Sequence, residues 1–394
     1  MTAQNLYDLS PALRLMIMGL LVALVPLGWI WVRNKNAPVA QRLRALTLVT
    51  LFLTFDLVVF GAFTRLTDSG LGCPDWPGCY GSASPVGAQL HIEAAQTAMP
   101  TGPVTPVKAW IEMIHRYLAT SVGVLILTLA LVTLLARRQQ QRAGKVSSPE
   151  QILSIWWPLT TLGWVCLQGA FGALTVTMKL FPAIVTLHLL GGMVLLALLR
   201  AQSVRYAQVH EKIQPAALSE TNRRIVMAAF GLLWLQIALG GWVSTNYAVL
   251  ACTDFPGCQG SLWPAMDFSQ GFTLWRELGL GHDGAYISFQ ALTAIHYVHR
   301  LAAYGVFAVL VLLAFRLNKV PAYRSQARWL AGLTFLQVAT GLGNVVLGWP
   351  LLAAVGHTGG AAALVVVLTG VVFSTQKIRV PARLPSLIAS RLPA

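Results

Sequence analysis

Charge is scarce in this chain: of 394 residues, 10% are Asp, Glu, Lys or Arg, and only 13 are acidic. A soluble domain carries about 25% charged residues. With 56% hydrophobic residues and a mean hydropathy of +0.64, the soluble globular class is excluded and an integral membrane protein is indicated. Cysteine is scarce as well, with five in all. Four of them fall in two C-x5-C loops, Cys73 with Cys79 and Cys252 with Cys258, which is not the usual spacing of zinc ligands. The fifth, Cys166, lies inside an apolar run and reads as a small apolar filler. The first apolar run lacks the small residues of a signal-peptide cleavage site. It ends in Trp29, Trp31 and Arg33, and so reads as a retained helix.

What the chain does have is long apolar runs. Segments able to span a bilayer, about 20 residues each, lie at 13–32, 45–64, 110–136, 152–178, 182–199, 225–245, 287–315, 329–348 and 351–375. An all-α, polytopic fold of nine helices is predicted. The formal net charge of +15 would suggest nucleic acid in a soluble protein, but its distribution argues otherwise. Basic residues cluster in alternate connections: Arg33, Lys35, Arg42 and Arg44; Arg137, Arg138, Arg142 and Lys145; Arg200, Arg205, Lys212, Arg223 and Arg224; Arg316, Lys319, Arg324 and Arg328; and Lys377, Arg379, Arg383 and Arg391. These are 21 of the 28 Lys and Arg residues. The positive-inside rule puts these connections and the C-terminus in the cytoplasm, with the N-terminus outside. The basic partner is then the lipid surface, and no nucleic acid is called for. Both C-x5-C loops fall on the outer face, where an oxidising compartment favours disulfides over metal.

The pattern occurs twice. Cys73-Pro74-Asp75-Trp76-Pro77-Gly78-Cys79 aligns with Cys252-Thr253-Asp254-Phe255-Pro256-Gly257-Cys258, His115-Arg116 with His299-Arg300, and His188 with His357. Gly61 aligns with Gly241, and Leu167-Gln168 followed by Gly172 with Leu336-Gln337 followed by Gly341. The offsets are 179 for the cysteines, 184 for His115 to His299, and 169 for Gln168 to Gln337 and His188 to His357, so the halves differ by loop insertions. Each half is a four-helix bundle. An even helix count makes the repeats run in the same direction, related by a pseudo-two-fold axis along the membrane normal. The helix at 13–32 stands outside the duplication. The glycine-rich stretches suit close helix packing.

Of eight histidines, His91 and His282 fall in outer loops and His210 in a cytoplasmic one, where solvation accounts for them. His115, His188, His299 and His357 lie at matched depths inside the two repeats. Histidine within a membrane is costly unless paired or ligating. Two imidazoles on facing helices of a bundle supply the axial ligands of one haem iron. Arg116 and Arg300 follow two of these histidines and are placed to meet haem propionates, with snorkelling to lipid headgroups as the alternative. The halves differ three residues before each His-Arg pair, where Glu112 stands in one and His296 in the other. Glu112 shares a helix face with His115. It reads as a proton acceptor or a stabiliser of positive charge, or else as the ion-pair partner of Arg116. His296 reads as a spare ligand or a hydrogen-bond donor.

The chain resembles the haem A synthase family in its proteobacterial form. The resemblance rests on Thr64-Arg65-Leu66-Thr67-Asp68-Ser69-Gly70-Leu71, the Cys73 to Cys79 loop, Ile111-Glu112-Met113-Ile114-His115-Arg116, Val298-His299-Arg300 and Gly356-His357-Thr358-Gly359-Gly360, and covers about residues 45 to 375. It implies a membrane haem-dependent oxidoreductase of the bacterial inner membrane. Such an enzyme converts the C8 methyl group of haem O to a formyl group, giving haem A for haem-copper terminal oxidases. It further implies that His299 and His357 ligate a haem b cofactor, that His115 and His188 flank the substrate haem, and that Glu112 is the functional carboxylate. Haem O synthase is the partner it implies, together with an unidentified electron donor or acceptor. The expected organisation is an extra helix and cytoplasmic link at 1–44, a substrate-haem bundle at 45–200, a linker at 201–224, a haem b bundle at 225–376 and a cytoplasmic tail at 377–394. A di-haem electron-transfer cytochrome and a haem-handling or export protein are the rival readings; the exchange of Glu112 for His296 favours the enzyme.

Overall fold

The structure, a computed structural model, describes residues 10–142, 154–210, 216–281 and 284–375. His282 and the expected tail at 377–394 lie outside these residues, as does the side chain of His210. The elements are α1 (Ser10–Arg33), α2 (Val39–Leu66), α3 (Gln89–Ala98), α4 (Pro106–Arg142), α5 (Trp156–Thr177), α6 (Pro182–His210), α7 (Glu220–Thr245), α8 (Phe268–Gly271), α9 (Phe289–Asn318), α10 (Arg324–Val346) and α11 (Leu351–Ser374). Among the described residues nine helices are long and apolar enough to cross a membrane. They coincide with the nine apolar runs of the sequence. Helices α4 and α6 continue to Arg142 and His210, beyond their apolar runs, because a helix persists past the hydrocarbon layer where its polar side chains are solvated.

Local chemistry sets the boundaries. Proline stands at the first turn of α4 and α6, where its missing N–H has no intrahelical partner to lose. Ser219 and Ser288 cap α7 and α9 by accepting the N–H groups of Asn222 (3.3 Å) and Ala291 (3.2 Å). Threonines inside the spans satisfy themselves: Thr47, Thr50 and Thr54 of α2 are buried and donate to carbonyls one turn back at 2.7–2.8 Å. This lets hydroxyls sit where no water reaches. The apolar side chains divide in two. Leu125, Ile126, Leu129, Leu196 and Leu313 form a buried core, while Phe335, Trp329 and Leu352 are 74%, 63% and 87% exposed on the outside. An apolar exterior is the surface lipid solvates. Cys166 also faces outward rather than filling the core.

Helices α2, α4, α5 and α6 close one ring of neighbours, and α7, α9, α10 and α11 close the equivalent ring. The rings meet through α2 and α6 on one side and α7 and α11 on the other. At this junction equivalent residues touch each other. Arg65 donates to the carbonyl of Ser244 (2.6 Å) and Tyr247 donates to Asp68 (2.7 Å), each pair 179 residues apart, while the Arg65 guanidinium lies 4.0 Å over the Tyr247 ring. Since 179 is also the cysteine offset, each residue is bonded to its own repeat-mate, which occurs only beside a pseudo-two-fold axis. Helix α1 packs outside the rings, on α4 and α2. Gly19 lets it approach Thr120 of α4, and Pro11 touches Gly78, so its start lies on the face that carries the disulfide loops.

Candidate functional site

The site is built from two loops and four histidines. Cys73–Cys79 and Cys252–Cys258 are disulfide-bonded, so the cysteines are not free to ligate a metal. Within the first loop the Asp75 carboxylate accepts the N–H groups of Tyr80 (2.5 Å) and Gly81 (2.8 Å). Within the second, Asp254 accepts those of Gln259 (2.8 Å) and Gly260 (2.9 Å). The N–H groups of Gly260 and then Gln259 hold the Asp254 carboxyl below the usual carboxylate range. These turns aim their carbonyls at an arginine. Arg116 donates to the carbonyls of Asp75 (2.9 Å), Pro77 (3.1 Å) and Gly78. Arg300 donates to those of Asp254 (2.9 Å), Gly257 and Cys252 (3.3 Å). Both arginines are therefore the clamps that seat the loops on their bundles, and neither snorkels to lipid.

The residue one turn before each arginine completes the clamp, and here the halves diverge. Glu112 is 4% exposed, pairs with Arg116 and accepts the N–H of Cys73 at 2.8 Å. His296 is 5% exposed, and its Nδ1 donates to the Ala248 carbonyl at 3.0 Å while its Nε2 lies 3.4 Å from Arg300. Both ring nitrogens of His296 are thus occupied within the loop. Its Nδ1 is a hydrogen-bond donor, as one of the two readings of this residue expects.

Each of the other four histidines lies against a glycine of a neighbouring helix. A methyl group placed on Gly61, Gly240, Gly172 or Gly341 would stand 3.3, 2.9, 3.5 or 3.2 Å from Cε1 of His115, His299, His188 or His357 respectively. The glycines are notches for imidazole rings. This corrects the alignment at one point: Gly61 corresponds to Gly240, at the cysteine offset, and not to Gly241. Gly241 instead faces Thr186 and Leu189 of α6, each 3.2 Å from where its methyl would be, so one of the paired glycines admits His299 and the other admits the first bundle. A second repeated device places Gly191 and Gly360 against the carboxamides of Gln168 and Gln337.

His115 on α4 and His188 on α6 belong to one ring of helices, and His299 on α9 and His357 on α11 to the other. Among the described residues no three His, Cys, Asp or Glu groups gather as a metal-ion cage. A histidine pair suits an iron whose equatorial ligands come from a porphyrin. His188 also leaves its Nδ1 buried with no hydrogen-bond partner, an orphan atom of the sort that a ligating ring shows when its site is built for more than packing. Of the remaining histidines, His91 is exposed and stacks on Tyr80, with ring centroids 5.5 Å apart.

Three buried or part-buried polar groups, two of them beside histidines, were not among the expected site residues. Gln236 donates to the carbonyl of His299 at 3.1 Å and lies 3.1 Å from its Nδ1. Thr340 lies 3.0 Å from Nδ1 of His357. Arg276 is 4% exposed, bonds Asn246 and the Leu280 carbonyl (3.1 Å), and has a buried Nε without a partner. Comparing the repeats position by position would have found the first two, because Leu57 and Phe171 stand at their places in the other half.

Comparison with known proteins bears on all of these features. The model of the cytochrome oxidase assembly protein family, COX15-CtaA, matches residues 44–369, which include both loops and all four paired histidines. The chain belongs to this family. Its relatives are haem A synthases. That of Shewanella oneidensis is 36% identical over 328 residues, covering 83% of this chain and 95% of its own. That of Caulobacter vibrioides is 28% identical over 357 residues, covering 85% and 95%. A more distant haem A synthase, from Alkalihalophilus pseudofirmus, is 26% identical over 302 residues, covering 76% and 84%. Helix α1 precedes the segment matched by the COX15-CtaA model.

Proposed function

We propose that this chain is a haem A synthase, a membrane oxidoreductase that converts the C8 methyl group of haem O to a formyl group. The reading is carried by one observation. Two matched histidine pairs sit in glycine notches, and a single carboxylate, Glu112, replaces the His296 of the other half. His299 and His357 of the bundle at 225–376 hold a resident haem b, which supplies one-electron redox chemistry when bound. His115 and His188 of the bundle at 45–200 flank the substrate haem. Residues 201–224, which take in the end of α6 and the first turn of α7, link the two, and 1–44 add α1 and the start of α2.

Glu112 acts above the substrate site, one turn from His115. Both of its oxygens already accept hydrogen bonds, from Cys73 and Arg116. It forms the ion pair with Arg116 that the sequence offered as its alternative role, and within that fixed pair its carboxylate is suited to stabilising positive charge as it develops at the methyl carbon. Arg116 and Arg300 hold the loops shut over the two sites and put positive charge where propionates lie, at the mouth of each bundle. The protein works in the bacterial inner membrane with its N-terminus and both disulfide loops outside, the basic connections and C-terminus in the cytoplasm. It receives haem O from a haem O synthase and exchanges electrons with a further partner.

The test is to express the full chain with a source of haem O under air and extract the pigments for chromatography. Haem A is expected. Unchanged haem O recovered beside a folded, haem b-loaded protein would overturn the proposal.

A further inference from the structure

The two histidine pairs are matched in backbone and notch but not in what supports their rings. The Thr340 hydroxyl has one proton, and it is donated to the Leu336 carbonyl at 2.7 Å. Towards His357 Nδ1, 3.0 Å away, the oxygen is therefore the acceptor. That keeps the imidazole proton on Nδ1 and leaves the Nε2 lone pair for iron, the arrangement in which an outer partner orients a ligating histidine and raises its basicity. At the matching place in the first half stands Phe171, which cannot accept a hydrogen bond, and Nδ1 of His188 is buried without a partner. A proton on that nitrogen has nowhere to go. The other ring of each pair differs as well: the Gln236 amide NH2 donates to the His299 carbonyl at 3.1 Å and lies 3.1 Å from its Nδ1, while Leu57 stands at the matching position of the first half.

We infer that Thr340 locks His357 as a strong ligand for the resident haem, while Phe171 keeps His188 a weak one so that substrate haem enters and product haem leaves. The inference rests on the assignment of the two sites proposed above. Thr340 is a positioning residue, acting on iron only through the His357 ring. Loss of such an outer partner costs about 10–100-fold in metal affinity.

The experiment measures haem dissociation from the purified full-length protein by transfer to excess apomyoglobin, together with the midpoint potential of the bound haem b. Thr340→Val, of nearly the same shape, is expected to speed loss of haem b by about 10–100-fold and to raise its potential, because a less basic imidazole stabilises the ferric state less. Thr340→Ser is expected to restore both values. Phe171→Thr is expected to slow loss of haem from the first bundle and raise the haem content of the protein as isolated. Unchanged dissociation and potential in Thr340→Val would overturn the inference, as would loss of haem in Thr340→Ser equal to that in Thr340→Val. These readouts do not require turnover. If the wild type makes no haem A but Thr340→Val still sheds haem b, the enzyme assignment falls and the ligand assignment stands.

Discussion

The glycine notches allow a graded test, because the four are not equally tight. A methyl group on Gly240 would stand 2.9 Å from Cε1 of His299, and on Gly341 3.2 Å from that of His357, whereas on Gly172 it would meet His188 at 3.5 Å. Ordinary van der Waals contact begins at 3.4 Å, so Gly240→Ala drives the His299 ring back by about half an ångström, Gly341→Ala by less, and Gly172→Ala by nothing. On the proposed assignment the ring has little slack to give, since iron would fix one side of it and Gln236 lies on another. Overpacking of this kind costs about 1–3 kcal/mol, or about 5- to 150-fold in haem affinity. Alanine itself favours the helix by about 1 kcal/mol over glycine, so any loss of haem would arise at the ring and not from a weaker α7. The assay is haem content per protein by the pyridine haemochrome method, with far-ultraviolet circular dichroism to show that the helices persist. The expected order of haem b loss is Gly240→Ala, then Gly341→Ala. Full haem b content in Gly240→Ala, or a loss in Gly341→Ala larger than that in Gly240→Ala, would refute the notch argument.

Other expectations follow from the same geometry. Glu112→Gln keeps an oxygen for the Cys73 N–H but removes the charge, so formyl formation should fall about 100-fold or more with the haem b absorption spectrum intact; a lost spectrum would mark Glu112 as purely structural. His299→Ala and His357→Ala should deplete haem b in the isolated protein, whereas His115→Ala and His188→Ala should stop turnover with haem b retained; the reverse pattern would exchange the two sites. In the second loop the depressed carboxyl of Asp254 gives support that is present above the unfolded value of about 3.9 and lost as pH falls through its lower folded value. Amide exchange at Gln259 and Gly260, corrected for intrinsic rates, should therefore stay slow down to about pH 4 and quicken below it, with Asp254→Asn flat across that range. A wild-type profile that is equally flat would show that the carboxylate does not order the turn.

The helices were legible in the sequence for a physical reason: about 20 apolar residues in a row have little choice but to span lipid. Both disulfides and the repeated placement of the four histidines were legible too, because duplication writes each of them twice. Less legible was anything resting on a single residue between the copies. The pairing of Gly61 with Gly240 escaped because Gly240 and Gly241 are adjacent and only contact with His299 or with Thr186 tells them apart. Cys166 reads as filler by type, yet a helix with lipid on one side exposes small residues as readily as large ones. The engagement of Arg116 and Arg300 by loop carbonyls was not legible, because it is a long-range contact that no helical spacing encodes.

The placement of α1 extends the same division between halves. It packs on α4 and α2, both of the first bundle, and its Pro11 touches Gly78, whose carbonyl receives Arg116. Helix α4 carries Glu112, His115 and Arg116 together. The half with the brace is the half in which Nδ1 of His188 is buried without a partner, and in which Phe171 and Leu57 stand where Thr340 and Gln236 stand opposite. A bound haem stabilises whatever holds it, in proportion to how tightly it is held. A bundle with a resident haem gains that support permanently, whereas one whose haem comes and goes must keep its shape while empty. The extra helix gives α4 a second packing surface that does not depend on haem, and it does so for the bundle that, on the proposed assignment, is periodically without one.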